Sequence, residues 1–208
     1  MKYYSQYQQD KFLNETIFKN KTDGFFIDIG ASEPIDQNNT YFFEKLGWNG
    51  ILIEPRIKEY EKLKQERTSH IENIAIYNQC GTEKFICCDG YIKGLSGLLA
   101  EQKPEHLNRI FNELLIYGKS IEIIEVQTIT INKLLEKHNI KIIDYLSIDT
   151  EGSEYKILET IDFNKIKIKA ISVENNYCES NVYDLLTKYN FEKVTQIGCD
   201  DIYINKEK

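Results

Sequence analysis

The sequence has little proline, 3 residues, and a modest 11 glycines in a chain of 208. That scarcity excludes a linker, a collagen-like repeat or a low-complexity tract. Basic residues are in the minority, 26 Lys and Arg against 33 Asp and Glu, for a net charge of −7. Without a basic block there is no footprint for a phosphate backbone, and nucleic acid is not expected as a partner. The five cysteines, Cys80, Cys87, Cys88, Cys178 and Cys199, contain no C-x-x-C pair. They are expected as reduced thiols packed like small hydrophobes, not as a disulfide framework or a zinc site. Long apolar runs are missing too, and residues 1–10 are polar and tyrosine-rich. The expectation is a cytoplasmic protein without a transmembrane helix or signal peptide. The length suits one domain over 1–208, with no linker inside it.

What is present is a series of short apolar runs at 24–30, 50–55, 71–76, 142–148 and 169–173. Runs of this kind suit strands buried on both faces of a parallel sheet. Helical patterns lie between them at 39–46, with Gly47 as C-cap, and at 59–67, 153–161 and 182–189. The alternation predicts an α/β fold with an open sheet covered on both faces. Two short runs at 191–196 and 201–205 flank Gly198 and predict a hairpin at the sheet edge. Residues 80–126 break the pattern with a hairpin over 84–88, a Gly-rich turn over 90–97 and a helix over 105–117. This insertion is expected to face a substrate.

Acidic residues close four of the strand-like runs: Asp28, Glu54, Asp149 and Glu174. In an open α/β sheet that edge binds ligands, and an unpaired carboxylate late in an apolar strand costs stability. Glu54 lies on the order of 20 residues beyond Gly30, where a carboxylate can accept bonds from ribose hydroxyls. Its alternative is a loop carboxylate held by Pro55 and Arg56. Gly30 lets the backbone approach a ligand in the first strand-to-helix turn. That turn lacks G-x-G-x-x-G and carries Asp28, Glu33 and Pro34 instead. Its carboxylates repel a pyrophosphate and suit a cationic or zwitterionic ligand such as S-adenosylmethionine.

With Tyr4-Ser5-Gln6, Gln9-Asp10, Phe26-Ile27-Asp28-Ile29-Gly30-Ala31, Asn39-Thr40, Gly47-Trp48-Asn49-Gly50 and Ile53-Glu54-Pro55 in this order, the chain resembles the FkbM family of S-adenosylmethionine-dependent methyltransferases. Glu72-Asn73-Ile74-Ala75-Ile76, Gly94-Leu95-Ser96-Gly97-Leu98 and the block from Tyr145 to Glu154, with Asp149-Thr150-Glu151-Gly152 at its centre, extend the resemblance over nearly the whole chain. It implies a class I, Rossmann-like three-layer sandwich, whose mostly parallel seven-stranded sheet has a reversed strand in the C-terminal hairpin. It also implies O-methylation, frequently of a sugar hydroxyl in a glycan, glycolipid or natural product. The departure is Ser32-Glu33-Pro34, where wider methyltransferase motifs carry further glycines.

Carried over by position, Asp28, Gly30, Ala31 and Ser32 line the methionine end of the cofactor, Glu54 holds the ribose, and Asn73 and Ala75 lie near the adenine. Ser5, Gln6 and Asp10 belong to an N-terminal segment that closes over the site; the alternative for Ser5 is a helix N-cap. Asp149 faces the transferred methyl group and is the candidate base. With Glu151, Glu174 and Asn175 it forms a candidate all-oxygen site for Mg²⁺ or a similar hard cation. Glu154 is read as first-turn helix enrichment. On the insertion helix His106 is an alternative base and Arg109 a substrate contact. Ser96 either touches substrate or shapes its loop, His70 and His138 are placed at helix ends, and Trp48 is core. The acceptor is expected to be a hydroxyl-bearing sugar. A nucleotide-dependent oxidoreductase and a non-catalytic methyltransferase-like scaffold are the competing readings.

Overall fold

A computed structural model describes residues 2–117 and 119–206. Its main sheet has seven strands. They are β1 (Phe25–Ile29), β2 (Asn49–Ile53), β3 (His70–Glu72), β8 (Ile142–Ile148), β9 (Lys167–Glu174), β10 (Phe191–Ile197) and β11 (Asp200–Asn205). A second sheet joins β4 (Ala75–Ile76), β5 (Gly81–Cys88), β6 (Gly97–Leu98) and β7 (Ile121–Ile129). The helices are α1 (Gln9–Phe12), continued by a π-helical stretch Leu13–Phe18, then α2 (Tyr41–Lys45), α3 (Ile57–Glu66), α4 (Pro104–Tyr117), α5 (Ile131–Lys137), α6 (Glu154–Leu158) and α7 (Asn181–Thr187).

The main sheet runs in the order β3-β2-β1-β8-β9-β11-β10. Strands β3, β2, β1, β8 and β9 are parallel, and β11 is reversed between β9 and β10. The order turns back at β1, so the ends of β1 and β8 meet at a switch point. The apolar runs fit this position because alternate residues enter two different cores. Ile27, Ile29, Ile51, Ile53, Leu146 and Ile148 pack on one face with α5, α6 and α7. Phe26, Leu52, Tyr145 and Ala170 pack on the other with the N-terminal helix, α2 and α3. A mixed α/β fold around a largely parallel sheet is therefore present, with the reversed strand in the terminal hairpin.

Gly47 ends α2 as expected, with φ +103°. Its N–H donates to Glu44 O and that of Trp48 to Phe43 O, the paired bonds of a Schellman cap. Gly198 turns the β10–β11 hairpin at φ +63°.

Several expectations give way. The run at 71–76 is not one strand: β3 stays in the main sheet and β4 crosses to the second, pairing with β7. Residues 84–88 are not a hairpin but the end of β5, which pairs antiparallel with β7 over its full length. Gln8, not Ser5, holds the N-cap position of α1, in the left-handed region; Ser5 still reaches the first turn, its Oγ accepting from Asp10 N at 3.2 Å while Ser5 N and Oγ donate to the Asp10 carboxylate. His70 opens a strand, whereas His138 does follow a helix. Only Cys88 is a buried thiol, while Cys80 and Cys178 are exposed. Trp48 is buried, with its indole N–H on Lys21 O. Among the described residues no helix is long and apolar enough to cross a membrane.

Candidate active site

A cavity of about 360 Å³ lies above the carboxyl ends of β1, β2, β8 and β9, roofed by the second sheet and the segment 91–98. One end is apolar, with Ile53, Ala75, Ile76, Phe85 and Leu98. The other is acidic, with Asp149, Glu151 and Glu174. Glu54 stands between them at the end of β2.

Glu54 is 2% exposed and its carboxylate is fully engaged. Oε2 accepts from Ser32 N at 3.0 Å and from Arg56 Nη2 at 3.2 Å. Oε1 accepts from Arg56 N at 2.8 Å and Arg56 Nε at 2.9 Å. The loop alternative, with Arg56 holding the carboxylate, is met, and Glu54 also borders the cavity. Burial works against the charge of Arg56, but Glu54 offsets it and holds the guanidinium pKa above its ordinary value. Arg56 also donates to Ser32 Oγ, Lys93 O and Ser96 Oγ, tying the end of β2 to the first turn and to the insertion. Ser96 shapes that loop, accepting from Cys88 N and donating to Lys93 O, and it also borders the cavity.

The acidic end is built by β8 and β9 being adjacent and parallel, which brings Asp149 and Glu174 together. Glu151 joins them from a loop in which it takes a left-handed φ of +57°. One carboxylate oxygen from each of the three falls within 4.8 Å of the others. Burial first, and then Asp200 and Glu154, push the Asp149 carboxyl up to about 8. Burial and the neighbouring Asp149 raise Glu151 and Glu174 well above the ordinary carboxylate range. Such a cluster is stable when it shares protons or holds a cation.

Gly30 has a reason other than a ligand. At φ +85° its added Cβ would lie 1.8 Å from the Asp149 carbonyl oxygen, so glycine lets the ends of β1 and β8 close up. Gln6, Gly30, Ser32, Glu54, Ala75, Arg109, Asp149, Glu151 and Glu174 border the cavity.

The other anticipated residues are spent elsewhere. Asp28 is buried, accepting from Thr40 Oγ1 at 2.7 Å and Asn38 Nδ2 at 3.1 Å, and burial raises its pKa. Ala31 is packed in the core, and its carbonyl accepts from Asn38. Asp10 is consumed by Tyr4 N, Ser5 N and Ser5 Oγ, so it shapes the N-terminal segment from beneath. Asn73 holds the turn after β2 through Glu54 O and Pro55 O. Glu154 accepts from Thr150 N, Thr150 Oγ1 and Gly152 N, ordering the loop that carries Glu151.

His106 is 2% exposed, with Nε2 on Leu95 O at 3.1 Å and Nδ1 3.5 Å from Glu151 Oε2. Burial lowers its pKa. It does not itself border the cavity, meeting it through Leu95 and Glu151, so it is not placed to reach an acceptor proton. Arg109 stands at the rim, paired with Glu113 at 2.8 Å. Asn175 turns away to Asp201 and Glu179; Asn176 takes its place, donating to Glu151 Oε2 at 3.2 Å. Arg56, Tyr7, Asn176 and Phe85 line the cavity without having been singled out from the sequence as site residues. Only Arg56 left a signal, as a neighbour of Glu54.

A largely parallel α/β sheet with an acidic, glycine-poor site at its switch point fits a methyltransferase-like fold. Residues 28–193 match the family model described as Methyltransferase FkbM domain, and the chain belongs to that FkbM methyltransferase family. No curated protein matches the chain.

Proposed function

We propose that the chain is an S-adenosylmethionine-dependent O-methyltransferase of class I, three-layer architecture, acting on a sugar hydroxyl. The observation that carries this reading is one cavity with an apolar end, the Glu54 carboxylate at the end of β2 and an acidic end. The apolar end suits adenine, Glu54 suits the ribose diol, and carboxylates suit the amino group and sulfonium. The first turn has Glu33 paired with Lys93 where a dinucleotide site presents glycines, which disfavours the oxidoreductase reading. Bound S-adenosylmethionine supplies an activated methyl group, so the protein has only to align the acceptor and remove its hydroxyl proton.

Asp149 is the proposed base, and its raised pKa places proton uptake near neutral pH. That role belongs to the metal-free cluster; the oxygens of Asp149, Glu151 and Glu174 also fit a hard cation such as Mg²⁺, which would hold Asp149 ionised and would itself lower the pKa of a bound acceptor hydroxyl. Ribose binding must share or displace one of the four donors on Glu54, and Arg56 Nη2 makes the longest of those bonds. Arg109 at the rim is the proposed acceptor contact.

The test is calorimetric titration with S-adenosylmethionine, with NAD as comparison. Wild type is expected to saturate at one site. Glu54→Gln is expected to bind at least tenfold more weakly, about the loss of one charged hydrogen bond. A folded wild type that ignores S-adenosylmethionine overturns the reading in favour of the scaffold.

A further inference from the structure

We propose a second, independent metal site for a borderline-soft divalent cation such as Zn²⁺, formed by His70, Glu72 and His138. His70 and Glu72 are two apart on the edge strand β3, so they share a face. His138 follows the last turn of α5, its N–H on Leu134 O, and so comes from a distant part of the chain. Both imidazoles present Nε2 to the same oxygen, Glu72 Oε1, at 3.0 Å from His70 and 2.7 Å from His138. The ring centroids are 4.7 Å apart. None of the three borders the cavity, so the site is separate from the methyl-transfer cleft.

Two imidazoles and a carboxylate are an open zinc-type donor set. With metal–ligand bonds of about 2.0–2.2 Å, tetrahedral geometry puts neighbouring ligand atoms roughly 3.3 Å apart. Against that, the two nitrogens lie 3.0 and 2.7 Å from Glu72 Oε1, and all three ligand atoms fall within 4.8 Å of one another, so side-chain shifts of roughly half an ångström make room for the ion. Two imidazole Nε2 atoms and Lys137 Nζ, the latter at 2.6 Å, converge on the single oxygen Glu72 Oε1. A divalent ion bound by the two imidazoles and the carboxylate takes the place of these donors, and the half-exposed Lys137 is free to swing into solvent. His70 is 54% exposed at its side chain, which leaves the remaining coordination position open to water. The ion would clamp the sheet edge to the end of α5.

The experiment titrates tag-free chain with Co²⁺ and then Zn²⁺ at pH 7.5, with excess Mg²⁺ present to fill the all-oxygen cluster. One equivalent of Co²⁺ is expected to give visible bands of a tetrahedral nitrogen–oxygen site, without thiolate charge transfer from the exposed cysteines, and Zn²⁺ is expected to bleach them. His70→Gln and His138→Gln should each weaken binding at least tenfold, since loss of even an outer partner has about that effect. Lys137→Ala should tighten it several-fold by removing the competitor for Glu72; a purely structural ion cluster predicts no such gain. Absence of stoichiometric binding by folded wild type overturns the proposal. So does binding that both histidine variants leave unchanged.

Discussion

At the scale of single residues the site depends on how carboxylates are held. Asp149 is pushed up to about 8, chiefly by burial and then by Asp200 and Glu154. Between the ordinary carboxylate range and that value, the folded chain keeps a proton that the unfolded chain releases. Stability contributed by the protonated form is therefore present at low pH and is lost as pH rises towards 8. Asp149→Asn mimics the protonated carboxyl at every pH. In metal-free protein its melting temperature should gain steadily on that of wild type as pH rises from 5 to 8. A gain on the order of 1 kcal/mol corresponds to about 2–4 °C for a chain of this size. Equal melting temperatures at both values would show that this carboxyl does not titrate in the window. Glu54, Asp149 and Glu174 were legible in the sequence because each closes an apolar run, where a charge stands out. Arg56 was legible as the partner of Glu54 because it lies two residues on, and the structure pairs them. That Asn176 rather than Asn175 reaches Glu151 depends on side-chain directions that one sequence does not encode locally.

At the scale of elements, legibility followed burial. Strands β1, β2 and β8 are continuous apolar runs because helices cover both their faces, and their boundaries could be read closely. Strand β7 was missed. Its Ile-Glu-Ile-Ile-Glu-Val-Gln-Thr-Ile sequence is half exposed, and charged residues interrupt the run that marks a buried strand. Its pairing with β5 turns the supposed irregular insertion into a sheet. Helix α5 was read only through the placement of His138 at a helix end, although Thr130 caps it through Lys133 N. Gly30 illustrates the same limit. Its sequence context suggested approach to a ligand, while its neighbour is the backbone of β8. Gly30→Ala should lower stability by on the order of 3 kcal/mol, combining left-handed strain with overpacking, in urea unfolding. Gly81→Ala is the control: nothing lies within 4 Å of its added Cβ, and a change within about 0.5 kcal/mol is expected. A mild effect at Gly30 would mean that the strand ends close less tightly than the geometry shows.

At the scale of the molecule, the cavity belongs to two sheets at once. The main sheet supplies its floor, and the second sheet with the segment 91–98 supplies its roof. The roof is tied down by few polar contacts. Arg56 reaches Lys93 O and Ser96 Oγ, Gln102 Nε2 reaches Glu151 O at 2.8 Å, and Lys93 pairs with Glu33. Segments held in this way open locally at lower cost than core strands. A ligand filling the cavity touches both layers, so its binding energy should appear as a rise in global stability and as slower opening of the roof. At a thousandfold excess over Kd the linkage amounts to about 4.1 kcal/mol. For a chain of this size that is a shift on the order of 10 °C. Amide exchange should then slow in 91–102 as well as at the ends of β1, β2 and β8. Protection confined to the strand ends would place the ligand on the floor alone. The second sheet would then be a separate acceptor platform, and selection of the acceptor would be independent of cofactor binding.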